Sequence, residues 1–403
     1  MGTKQYDSAT DLLTFSRASS ATFLGSNGLL QTAANNVPRI EYDATGAVKG
    51  LLIEEARTNL VRTSGDISGG NFSVFVKYNT QSVASGVTVP DGSTDAYLLY
   101  PSSSGVARFV YTAAQTLTAG ATQTSSIYMK ASGVTTGLFY SSAGGGLSTS
   151  GLAWFDLSAG TVGTVVSGYT ASIEDVGNGW YRCSVSGVTL NGGYLIVGVA
   201  DADNSTTVTK SGTDGILVWG AQAETGAFPT SYIPTTNATA TRAADVATIP
   251  TSAFGYNQKA GTVLFEGKVI KANIGTTIDR RIVEISDGTT TNFISVYQDV
   301  SVDQNLRIAN VDAGVLSVNA DTGYTLSDAQ TFKVAIGIKL NNFAVSVDGG
   351  AVVTDTTGTV SNTLSQIDIG KLGGGTQYLN GYIKSIKYYP RQLTDTQLQE
   401  LTT

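Results

Sequence analysis

From residue 58 onwards, hydrophobic and polar positions alternate with a period of two in short runs: NFSVFVKY, DAYLLY, ARFVYTA, TSSIYMKA, GLFYSS, LAWFDLS, GWYRCSVSGV, YLIVGVAD and GILVWGAQ. Successive side chains on a strand point to opposite faces, so each run predicts a strand with one buried side. Clusters of Gly, Ser, Thr and Asp separate the runs at even intervals, the pattern of an antiparallel sandwich rather than of βαβ units. The stretch PTSYIPTTNATATRAADVATIPTS (229–252) breaks the alternation and reads as an extended connector. Beyond it the pattern resumes in GTVLFEGKV, RRIVEISD, NFISVYQD, LRIANVDA, TFKVAIGIKL, NNFAVSVDGG, QIDIGKL and LNGYIKSIKYY, which predicts a second two-sheet jelly roll.

Two short runs near the start, PRIEYD and AVKGLLIE, flank the turn DATG (43–46) and follow the turn GSNG (25–28). Helical signals concentrate at the other end. In LTDTQLQELTT, Thr394 and Gln397 have capping-box spacing, with Leu393 and Leu398 at the hydrophobic staple positions. The expected architecture is all-β: an N-terminal attachment segment (1–57), a first antiparallel β-sandwich (58–245), a second (246–403) and one short C-terminal helix.

Composition narrows the function. The 403 residues carry 47 Gly, 19 Tyr and only 14% charged side chains, with a formal net charge of −7. An acidic surface without Lys/Arg clusters repels phosphate backbones, so nucleic acid is excluded as a partner. MGTKQYDSATDLLTF lacks the apolar core of a signal peptide, and no apolar run reaches the roughly 18 residues that cross a bilayer. The expectation is synthesis in a cytoplasm and no membrane insertion. The chain has no histidine, which removes Ser-His-Asp, Cys-His and His-ligated metal arrangements. Its one cysteine, Cys183, shares a strand face with Tyr181 and Val185 and reads as core packing rather than as a nucleophile.

Carboxylate chemistry is the enzymatic option that remains. A glycosidase pair needs two side chains converging across roughly 5–9.5 Å. Glu54 and Glu55 in LLIEEARTNL are adjacent, and a strand sends adjacent side chains to opposite faces. One is expected to answer Arg57 or Arg39 and the other to be solvated. Glu174 and Asp175 precede an Asn-Gly turn and read as hairpin-end polarity. DADNST (201–206) begins like a calcium loop, but Thr206 and Gly212 occupy the positions where an EF-hand needs Gly and Glu. No metal or other cofactor is expected; Ca²⁺ has no assignable ligand set. The sequons at Asn71, Asn204 and Asn237 matter only in a secretory context.

Aromatic side chains can stack on sugar rings while short polar neighbours bond the hydroxyls. Trp154, Trp180 and Trp219 lie within strand runs, where core packing is the usual fate of a Trp. Tyr297, Tyr324 and Tyr378 lie near turns of the last region and are the better ligand candidates, with Trp154 a fourth.

The stretch FSRASSATFLGSNGLLQTAANNVPRIEYDATGAVKGLLIEEARTNLV (15–61) resembles a module of tailed-bacteriophage virion proteins. AWFDLSAGTVGTV, ASIEDVGNGWYRCSVS and ILVWGAQAETGAFPTSYIPTTNATATRAADV are similar to phrases of the same family, in a jelly roll like carbohydrate-binding modules. FKVAIGIKLNNFAVSVDGG and LNGYIKSIKYYPRQLTDTQLQEL resemble a concanavalin A-like, laminin-G-like domain. The resemblance implies a non-enzymatic virion component, a tail fibre, head fibre or decoration protein. It would partner other virion proteins, itself as a homo-oligomer (a trimer), and a host-surface glycan. The alternatives are a decoration or assembly protein without glycan binding, and a polysaccharide depolymerase.

Overall fold

A computed structural model describes residues 12–66, 76–111, 120–143, 151–188, 194–210, 212–270 and 279–403. Asn71, the start of NFSVFVKY and the end of ARFVYTA lie outside the described residues. The fold is all-β and antiparallel, with one α-helix among the described residues, Asp395–Thr402. That helix starts with the capping box expected: the Thr394 hydroxyl accepts from the Gln397 backbone N–H, and the Gln397 side chain accepts from the N–H of Thr394. Leu393 and Leu398 bury together against Leu264, Ala335 and Ala344 of the second sandwich.

In the first sandwich, one sheet runs in the order Thr161–Val165, Leu152–Asp156, Thr136–Ala143, Tyr194–Ala200, Gly105–Tyr111 and Thr207–Val208. The facing sheet runs Tyr169–Asp175, Tyr181–Val188, Thr122–Ser132, Gly215–Thr225, Tyr97–Pro101 and Thr80–Ala84. Met129, Phe139, Phe155, Val197 and Val218 fill the space between them, together with Cys183. The Cys183 side chain is fully buried, and burial pushes its thiol well above the ordinary range, which suits a packing role. At the Asn178-Gly179 turn both residues have positive φ, the geometry that a two-residue hairpin demands.

The second sandwich departs from the expected domain order. One of its sheets runs Thr14–Ser16, Val246–Pro250, Gln366–Ile369, Arg280–Ser286, Phe293–Gln298, Asn305–Asp312 and Val315–Thr325. The other runs Val353–Asp355, Asn342–Val347, Thr331–Lys339, Ala260–Val269, Gly381–Tyr389, Val48–Ile53 and Ile40–Tyr42. Three strands from before residue 57, Thr14–Ser16, Ile40–Tyr42 and Val48–Ile53, therefore complete both sheets of the C-terminal sandwich, while Ala21–Leu24 and Leu30–Ala33 pair with each other and Leu30 packs on the first sandwich. The reason is burial and pairing. Ile53 packs fully into the second core, and Leu51–Ile53 pairs with Gly381–Ile383, whose backbone would otherwise be an open edge. The first sandwich is thus an insertion, entered and left through one antiparallel neck in which Arg57–Asn59 pairs with Ala240–Arg242.

A buried ionic cluster closes that neck. Asp245 takes Arg17 at 3.1 Å and Arg39 at 2.5 Å, and accepts the backbone N–H of Glu54 at 2.9 Å. The Glu54 carboxylate meets Arg39 at 2.9 Å and Arg242 at 3.5 Å. It also accepts the N–H and hydroxyl of Ser231 at 2.8 and 2.7 Å. All five ionic side chains are at most 1% exposed. Burial alone would raise the Glu54 pKa; Arg242, Arg39 and the two Ser231 bonds outweigh it and bring the carboxyl to about 2. Glu54 and Glu55 do part, but neither is merely solvated: Glu55 pairs with Arg57.

Two outcomes are expected. Residues 12–57 joined by a short glycine linker to 242–403 should unfold as one cooperative unit in urea, whereas 246–403 alone should not. Glu54→Ala in the full chain should cost about 3–5 kcal/mol of stability by urea denaturation, because it leaves buried guanidinium charge unanswered. Since the Glu54 carboxyl sits below its unfolded range near 4.5, its contribution is full above that pH and is lost as pH falls towards 2, which melting temperatures against pH will show.

Candidate functional site

Strict alternation across the first-named sheet of the second sandwich separates two faces. Rows such as Ile367, Ile285 and Ile294, or Ile369, Val283, Val296 and Ile308, turn inward to the core. The intervening rows turn outward: Asp368, Glu284, Ser295, Ala309 and Asn319 in one, Arg281, Tyr297, Arg307 and Asp321 in the next. A β-bulge between Arg281 and Val283 breaks the parity of the strand and places Arg281 beside Tyr297 on the outer face.

Arg281 is held from four sides. Its Nε donates to Gln377 Oε1 and its Nη1 to Ser295 Oγ, both at 2.7 Å. The guanidinium carbon lies 4.7 Å from the Tyr297 ring centroid and 5.3 Å from that of Phe293. Nη2 has no hydrogen-bond partner among the described residues, and the Arg281 residue as a whole is 8% exposed. Arg281 makes no ion pair among the described residues. Arg307, two strands away, is saturated by contrast: Asp299, Asp303 and Asp321 lie at 3.1, 2.6 and 2.9 Å.

Beside Arg281 the loop 371–377 seals an acid pair. Glu284 and Asp368 are cross-strand neighbours; the N–H of Gly373 donates to Glu284 Oε1 at 2.8 Å. Ser286 and Gln366 donate to Asp368 at 2.5 and 2.8 Å. A Cβ at 373 would come within 2.9 Å of Glu284 Oε1 and 3.0 Å of Ser286 Oγ, so glycine lets the loop close tightly over the pair. Burial pushes the Glu284 carboxyl up to about 8, further than the Gly373 bond and Arg281 pull it down, and burial raises Asp368 as well. Glu284 therefore holds its proton at neutral pH, and its charge does not cancel that of Arg281.

The sequence candidates fall in different places. Tyr297 is on this face, with its hydroxyl donating to Asn319 at 3.0 Å. Tyr378 ends the loop that carries Gln377; it is half-buried against the core, with Lys371 5.9 Å from its ring centroid. Tyr324 sits apart, its hydroxyl bound to Asp348 and Gln330; burial, then Asp348, raise its pKa to about 12. Trp154 belongs to the first sandwich, is 4% exposed and donates its indole N–H to Ser205 O, so it presents no ring face to solvent. Trp180 and Trp219 are buried, as strand position implied. In DADNST, Asp203 is occupied by the N–H and hydroxyl of Thr164, and Asp201 by the N–H of Thr209. Arg281, Ser295 and Gln377 were not singled out from sequence; the doubled arginine opening RRIVEISD was the available signal.

No protein-family model matches the chain, and a search of curated proteins gives no relative. Solved structures give partial likenesses. The NanB sialidase of Streptococcus pneumoniae is 16% identical over 38% of this chain and 26% of that one, with a TM-score of 0.31. A heptameric SAP-like pentraxin from Limulus polyphemus is 16% identical over 36% and 70% of the two chains, with a TM-score of 0.29. Sheep galectin-11 is 11% identical over 32% and 90%, with a TM-score of 0.25. The aligned part spans about a quarter of the sialidase.

Replacing Glu284 by Gln tests the sealed pair. A carboxyl raised from 4.5 to about 8 favours the fold fully below pH 4.5, and that contribution drains away as pH rises through 8. Glu284→Gln should therefore gain stability relative to the wild type between pH 5 and 8, on the order of a kcal/mol per pH unit, measured by urea unfolding across that range.

Proposed function

We propose that this protein is a non-enzymatic, homotrimeric virion component of a tailed bacteriophage, which holds host-surface glycans on the outer face of its second sandwich. The virion assignment is supported by the resemblance over 15–61 and within the first sandwich. Glycan binding is supported by one observation above the rest: a guanidinium held by two neutral side chains and two nearby aromatic rings, with one amino group left without a hydrogen-bond partner among the described residues. The rings themselves are buried, and the more exposed Asn319 and Gln377 beside them offer neutral hydrogen-bonding groups to sugar hydroxyls. The non-enzymatic reading is supported by the acid pair of this face, which lies under loop 371–377 with Glu284 fully buried and so away from any substrate. Each site is expected to be weak, and several on one particle raise the effective affinity by a factor on the order of 10²–10⁴.

A glycan array probed with the full chain tests this, followed by the same array with Tyr297→Ala. Binding by the wild type and a loss of roughly tenfold in the variant are expected, since the substitution removes the ring that lies 4.7 Å from the Arg281 guanidinium carbon and helps to position it. A folded wild type that binds no glycan, yet is located in purified particles by immunogold microscopy, would favour the decoration reading.

A further inference from the structure

We infer that the outer face selects sugars that carry a carboxylate, with the Nη2 side of Arg281 as the group that receives it. This rests on the reading of that face as a glycan site and adds the charge class of the ligand. The case begins from the difference between the two outward arginines. Arg307 has three aspartates within 3.1 Å and no charge left to offer. Arg281 has none within salt-bridge distance among the described residues: Asp279 acts on it only at longer range, and Glu284 is sealed beneath Gly373 and neutral at pH 7.

An unpaired cation near low-dielectric aromatic surface gains most from an incoming anion, because a charge-assisted hydrogen bond there is roughly twice as strong as a neutral one. The group is also fixed in advance. Ser295 and Gln377 occupy Nη1 and Nε, and the Tyr297 and Phe293 ring centroids lie 4.7 and 5.3 Å from the guanidinium carbon, so docking a carboxylate on Nη2 freezes little additional motion. Tyr297 and Asn319, already bonded to each other, and Gln377 supply neutral polar groups for the hydroxyls around that acid. The net charge of −7 repels acidic polymers at long range, so any preference for an acidic sugar must come from local contact.

The test uses the full chain and matched oligosaccharides ending in glucuronic acid, in glucose, or in a sulfated glucose, titrated by calorimetry at neutral pH. The glucuronic acid ligand should bind at least tenfold more tightly than the glucose ligand. Arg281→Met should abolish that difference, and Arg281→Lys should keep part of it with weaker dependence on Ser295 and Gln377. Far-ultraviolet circular dichroism confirms that each variant is folded; if Arg281→Met fails to fold, Arg281→Lys with Gln377→Ala decides. Equal binding of the acidic and neutral ligands overturns the inference and leaves the glycan reading standing. Preference for the sulfated over the glucuronic ligand, or an unchanged preference in Arg281→Met, also overturns it. Failure of a folded wild type to bind any of the three removes both readings.

Discussion

The arrangement of the chain depends on Asp245. One buried carboxylate gathers Arg17 and Arg39, accepts the backbone of Glu54 and lies near Arg242. Its partners come from 191 to 228 residues away in sequence apart from Arg242, so no local preference could assemble them. Taking five ionic groups out of water is expensive, and their mutual attraction repays it only in one geometry. That geometry brings the start of the chain, the exit of the first sandwich and the entry to the second to a single point. We take its role to be fixing the register of these three segments more than adding to stability.

With that point fixed, the rest of the topology follows. The neck strands Arg57–Asn59 and Ala240–Arg242 emerge side by side, linked by a 2.7 Å bond between the Thr58 and Thr241 hydroxyls, and the first sandwich is carried beyond them. A contact outside the neck also joins the two sandwiches: Lys49 of the second reaches Glu174 of the first at 2.7 Å, and within the second Glu41 takes Lys49 at 3.5 Å and the Tyr382 hydroxyl at 3.0 Å. The sheet that carries Arg281 has at its far end strands from before and after the insertion, Thr14–Ser16 and Val246–Pro250. The candidate ligand face is therefore part of a sheet whose completion depends on residues hundreds of positions apart.

Local features were legible because they depend on nearest neighbours in sequence. Period-two alternation located the strands, the Thr394/Gln397 spacing located the helix start, and Asn178-Gly179 located a hairpin turn. Tyr297 could be picked out as an aromatic near a turn. Arg281 could not, since strict alternation puts residues 281, 283 and 285 on one face, and Val283 and Ile285 belong to the core. Only the bulge between 281 and 283 turns the arginine outward, and a bulge is set by pairing with Phe293–Gln298. Glu54 shows the same limit: its separation from Glu55 was readable, while its partners Arg242 and Ser231 were not.

By itself, the sequence determined the all-β class, the turns, the helix cap, the buried cysteine and the absence of histidine chemistry, all of which follow from composition or from spacing within a few residues. Tertiary structure decided that the first sandwich is an insertion, that three N-terminal strands complete the second, and that one arginine of the outer face meets three aspartates while another makes no ion pair among the described residues. These outcomes turn on which backbone edges and which charges meet after the chain has closed on itself, and pairing between distant segments leaves no periodic trace in the residues that take part.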